Sequence, residues 1–209
     1  MYRFGTAIAC IPAAFAAAIA VTAASAQQTQ RVRGTIEKID GNTLLIKGPD
    51  GAPATLTLAD NAVIVGVLKA TVADIKEGSY IGSGALPQPD GTQKAVEVHI
   101  FAESQRGTGD GHRGNWDGSP YGAGVGTMTN GAAGQAVSSV DGPVITVKYK
   151  DGEKKVFVGP NVPIVRYEVG DKGELKPGAA ISVAAATKKP DGTFSAARIN
   201  VGRNGVVPM

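Results

Sequence analysis

Two short stretches carry side chains able to hold a metal ion. Asp110, His112, Asn115 and Asp117 place carboxylates, an amide and an imidazole close together in the chain. Glu97 and His99 stand two apart in a segment that reads as a strand, so both leave the same face. Asp110, His112, Asp117, Glu97 and His99 therefore form the candidate ligand set for a divalent cation, the one cofactor these residues offer. The spacing is not that of an EF-hand, which needs oxygen ligands at alternate positions and a distal Glu. Nor is it a paired-histidine zinc pattern. The plainer reading of Glu97 and His99 is two solvated side chains, opposite an inward set of Val96, Val98 and Ile100. Trp116 and Tyr121 share the glycine-rich stretch with His112 and are candidates for a ligand-binding or packing loop.

Catalytic patterns are missing. No Gly-x-Ser-x-Gly elbow occurs, and only His99 and His112 could serve as a neutral-pH base. Most acidic residues stand in Asp-Gly pairs, where Asp bonds the backbone of a turn. The glycines at 107, 109 and 111 are followed by no helical pattern that would offer an anion site. The residues thus predict a chain that is not an enzyme.

The elements around these residues begin with an export signal. Arg3 precedes an alanine-rich apolar run, and Ala24-Ser25-Ala26 supplies small residues at −3 and −1 of a cleavage site. Pro12 and the cleavage site argue against an uncleaved anchor. Residues 1–26 read as a signal peptide, which predicts a periplasmic or secreted protein. Cys10, the only cysteine, would leave with it. So would Arg3, leaving 20 basic residues against 18 acidic. Near-neutral charge and sparse aromatics exclude a nucleic-acid partner, which needs a basic groove with stacking platforms. No apolar stretch after residue 26 is long enough to span a membrane as a helix.

The rest repeats itself. Asp40-Gly41 matches Asp141-Gly142, and Asp50-Gly51 matches Asp151-Gly152. Asn61 to Val65 matches Asn161 to Val165, Asp74 to Gly78 matches Glu174 to Gly178, and Pro89 to Thr92 matches Pro190 to Thr193. The offset stays at 100 or 101. Ile145, Val147 and Tyr149 alternate with polar residues, the period of a half-buried strand. Val96, Val98 and Ile100 are expected inward on one closing strand, and Ala197, Ile199 and Val201 on the other. A short helical turn is expected before Gly78 and before Gly178. The predicted fold is all-β: two tandem five-stranded OB-like barrels from an internal duplication, each with one short helical turn. The expected boundaries are 27–103 for the first β domain, 104–133 for a glycine-rich linker or loop, 134–202 for the second domain and 203–209 for a tail.

The elements Gly34-Thr35-Ile36, Asp40-Gly41, Leu44-Leu45-Ile46, Asp74 to Gly78 and Asp90-Gly91-Thr92 resemble a bacterial OB-like domain of unknown function found, often in tandem, in exported proteins. With the middle segment Arg106 to Arg113 and Thr127 to Asn130, the chain is similar to small exported alphaproteobacterial proteins. Some of these carry a metal-transporter permease label, against which the lack of a spanning segment argues. The resemblance implies the fold and brings no catalytic residues.

The resulting expectation is a non-enzymatic exported binding or interaction module. Metal handling is one alternative. The other is a structural role in the cell envelope, with an envelope protein or a polysaccharide as partner.

Overall fold

The computed structural model describes residues 29–116, 126–139 and 142–208. The signal segment, Asp117 and Tyr121 lie outside the described residues. Twelve strands are found among the described residues: β1 (Thr29–Asp40), β2 (Thr43–Lys47), β3 (Pro53–Ala70), β4 (Tyr80–Pro87), β5 (Gln93–Ile100), β6 (Gly111–Trp116), β7 (Gly126–Ala133), β8 (Val144–Tyr149), β9 (Gly152–Phe157), β10 (Ile164–Val169), β11 (Ala180–Lys188) and β12 (Phe194–Gly202). Three single 3₁₀ turns accompany them, at Val72–Asp74, Glu103–Gln105 and Lys172–Glu174.

The turns follow local chemistry. Asp90 Oδ1 accepts from Thr92 N at 2.9 Å, and Asp191 Oδ1 accepts from Thr193 N at 2.9 Å. The side chain thus substitutes for a backbone acceptor and folds each hairpin back. Gly91 and Gly192 follow at φ +85° and +84°, a region costly for any residue with a Cβ.

Strands β1, β2, β3, β12 and β11 pair in that order, and β11 returns to β1, giving a closed five-stranded barrel. Ile36, Leu44, Ile46, Leu56, Ile181 and Ile199 are buried at its centre. Burying each such side chain is worth roughly 1.5–3 kcal/mol. A second circuit runs β5, β4, β7, β8, β9 and back to β5, closed by the shorter β7–β8 and β5–β9 ladders. Ile81, Val98, Ile145, Val147 and Val156 fill it. Both circuits belong to one sheet, joined where β10 pairs antiparallel with β3 and parallel with β5.

The strands do not divide at the expected boundaries. β11 and β12 lie in the stretch 134–202, yet they complete the barrel that β1–β3 begin. β4 and β5 lie in 27–103 and join β7, β8 and β9. Each half lends its second hairpin to the other half's three-stranded meander. The stretch 104–133 contains β6 and the second circuit's strand β7.

Two inward sets shift by one residue. Ala95 faces the interior in place of Val96, and Ala196 in place of Ala197, because a bulge interrupts each closing strand there.

Candidate functional site

Glu97 and His99 do leave one face of β5, but they are not solvated: they are 5% and 8% exposed. The junction between the two circuits covers them. Tyr167 of β10 stacks on the His99 ring at 5.1 Å, and Phe101 meets Tyr167 edge-on at 5.4 Å. His99 Nε2 lies 3.2 Å from Glu97 Oε1, off the line of a hydrogen bond. Burial, and secondarily the Glu97 carboxylate, push the Tyr167 phenol well above its usual range. The pair is part of a packed seam.

Asp110 and His112 belong to another place. Asp110 Oδ1 accepts from Lys150 N at 2.9 Å, and Asp110 Oδ2 accepts from the Tyr80 hydroxyl at 3.2 Å. The carboxylate ties the start of β6 to β4 and to the β8–β9 turn. Burial first, then Asp110, pushes the Tyr80 phenol up to about 12. His112 Nδ1 bonds Thr129 Oγ1 at 2.8 Å, and burial holds its pKa below the usual imidazole value. Among the described residues no three His, Cys, Asp or Glu converge as a metal group.

Trp116 is a packing residue. Its indole covers Gly84 so closely that a Cβ there would lie 2.2 Å from Cη2. Gly84 pairs with Glu97, so the ring also roofs one side of the buried carboxylate's strand.

The interior of the second circuit is more polar than that of the first barrel. Where the barrel pairs Val32 with Val183, the second circuit pairs Thr129 with Ser83. All four are buried, and the Ser83 hydroxyl has no hydrogen-bond partner. Thr127 Oγ1 donates to Gln93 Oε1 at 2.7 Å in the same interior.

A separate cavity lies elsewhere. A cleft of about 920 Å³ opens between the end of β3, the β9–β10 loop and the C-terminal segment. Its walls include Leu68, Val72, Pro143, Val162, Val206 and Val207. Prolines explain the loop. Pro160 and Pro163 stand 100 positions after Asp60 and Val63 of β3. Proline has no N–H for a ladder, so the strand that is continuous in β3 breaks here into β9 and β10. The segment after β12 does not hang free. Arg203 N donates to Val67 O, and the guanidinium donates to Glu168 Oε2 and to both carboxylate oxygens of Glu174. Val206 and Val207 are thereby held along the cleft.

No family model matches the chain, and no curated protein or solved structure is similar to it.

The sequence reading singled out ligand-type side chains, yet the described ones serve packing and bracing. Sequence patterns did not point to the cleft, though a signal was present: Pro160 and Pro163, 100 positions after Asp60 and Val63.

Proposed function

We propose that this is a non-enzymatic exported binding module, built as two OB-like barrels from a duplicated unit. The supporting observation is the 920 Å³ apolar cleft, within the range of about 300–1,000 Å³ usual for small-molecule sites. The registers support the duplication. The β10–β5 pairs Ile164–Val98 and Val165–His99 recur in the first half as Ile64–Ile199 and Val65–Asn200. The export signal and the lack of a catalytic pattern support the rest of the reading. A metal-handling role draws less support, because Asp110 and His112 already have protein partners.

The test is thermal unfolding of the purified protein against a panel of small apolar compounds and, separately, divalent metals. A compound at about 100 times its Kd stabilises the native state by roughly 2.7 kcal/mol and raises the midpoint by roughly 5–10 °C. The expected hits are apolar compounds, with the shift lost in Val207→Asp. Turnover of a substrate, or a metal shift lost in His112→Ala, would replace the reading. Insensitivity to every compound together with co-purification from an envelope fraction would favour the structural role.

A further inference from the structure

The two ends of the β3–β10 ladder hold equivalent residues under the repeat offset, yet one end is latched and the other is open. At the latched end Asn42 Nδ2 donates to Asp60 Oδ1 at 2.6 Å, and Lys172 Nζ donates to Asn42 Oδ1 at 3.1 Å. This side-chain chain ties the β1–β2 turn to β3 and to the 3₁₀ turn at Lys172. The cavity at that end is only about 240 Å³, narrowed by Gln105, Thr108 and Arg198. At the other end the three latch positions are Pro143, Pro160 and Val72, and all three line the large cleft. None of the three side chains can form a hydrogen bond, so the side-chain latch is not repeated at these positions. The repeat thus contains its own control. The same framework is closed by polar contacts on one side and held open by apolar, rigid residues on the other.

The open side also has a defined charge. Among the described residues Lys69 is the one charged side chain in its wall, and no described acidic residue lines it. Lys69 is exposed and has no ion-pair partner among the described residues. The equivalent position at the latched end is Val169. One cation at the rim of an apolar cleft complements a molecule with an apolar body and a single negative head.

We propose that the cleft binds an amphipathic monoanion, a medium-chain carboxylate being the simplest, with Lys69 holding the carboxylate and the proline–valine walls covering the chain. This rests on the binding-module reading above and names its ligand class.

Isothermal titration of the purified protein with decanoate tests it, with decyltrimethylammonium as the same chain carrying the opposite charge. Saturable binding of decanoate and not of the cation is expected. Affinity should fall at least tenfold in Lys69→Glu and in Val207→Asp, both exposed positions where folding should survive. The triple variant Val72→Lys, Pro143→Asn, Pro160→Asp transplants the latch and should abolish binding. Unfolding midpoints near that of the parent protein check that each variant is folded. Equal binding of both amphiphiles, indifferent to Lys69→Glu but lost in Val207→Asp, would overturn the anionic ligand and leave the binding module standing. No saturable binding of either amphiphile, or decanoate binding unchanged in Val207→Asp, would overturn the cleft as this ligand's site. The compound panel would then decide the broader reading.

Discussion

Val67 of β3 pairs with Tyr167 of β10, and the two residues stand 100 positions apart in the chain. The ladder is therefore symmetric about this pair: Val65 meets Val169, and Lys69 meets Val165. Around it Val65, Val67, Val165 and Tyr167 form a small core between the two circuits, with Phe101 and Val206 packed against it. Tyr167 is the largest member and also the lid of His99. Tyr167→Ala should cost roughly 3–5 kcal/mol, the usual range for deleting a buried aromatic. Urea unfolding measures this, and a loss under 1 kcal/mol would mean the seam is not a structural core.

Alkaline stability should depend on two phenols. Burial raises the pKa of Tyr167 in the folded state, and Tyr80 is pushed from 10.0 up to about 12. A raised folded-state pKa means that the folded protein holds the proton more tightly than the unfolded chain. The stabilisation is complete below pH 10, the unfolded value, and for Tyr80 is lost as pH climbs towards 12. The fall in urea midpoint across that window should be shallower in Tyr80→Phe and in Tyr167→Phe. An identical alkaline limb in both variants would contradict the assignment.

Gly84 and Trp116 should be energetically coupled. Gly84→Ala drives a methyl group into the indole and should destabilise by about 1–3 kcal/mol. Trp116→Ala removes the obstacle. In a double-mutant cycle the pair should depart from additivity by at least about 0.5 kcal/mol, since contacting residues share one term. Additive losses would place the indole elsewhere in solution.

The Arg203 network should matter most near neutrality. Its guanidinium bonds Glu168 and Glu174, and that contact holds the Glu174 carboxyl below 4.5. A lowered folded-state pKa gives stability that is present above the unfolded value and lost as pH falls through the folded one. Arg203→Ala should cost about 1.5–3 kcal/mol at pH 7, the range for hydrogen bonds to charged groups. The difference from the parent protein should shrink below pH 4.5.

The proposed export makes a simple prediction about mass. Protein recovered from the periplasm should begin at Gln27, as intact-mass measurement would report. A chain retaining Met1 there would refute the cleavage site.

Local patterns were legible in the sequence for physical reasons. Ile145 and Val147 alternate with polar neighbours because one face of β8 is buried. Asp90-Gly91 and Asp191-Gly192 turn because the carboxylate and the positive φ act within four residues. Pairing between distant strands is another matter. The hairpin β4–β5 presents the same inward face whichever meander it completes, so periodicity says nothing of which half it joins. β7 escaped notice because it is rich in glycine. Yet Gly131 is needed there, since a Cβ would lie 2.2 Å from Lys148 O. A Cβ on Gly34 would likewise lie 2.4 Å from Lys47 O. Glu97 and His99 looked solvated because alternation reports one sheet's two faces and not what a second unit lays over the outer one.

The exchange of hairpins also governs when this molecule can take shape. Among the described strands β1, β2 and β3 are synthesised before the rest, and the two that close their barrel, β11 and β12, after them. A nascent chain therefore has no way to finish that barrel until residue 202 has been made. Contacts so distant in sequence form slowly, because the loop entropy must be overcome before any pairing repays it. The architecture builds a delay into biosynthesis: β1–β3 wait unclosed while every strand of the second circuit is made.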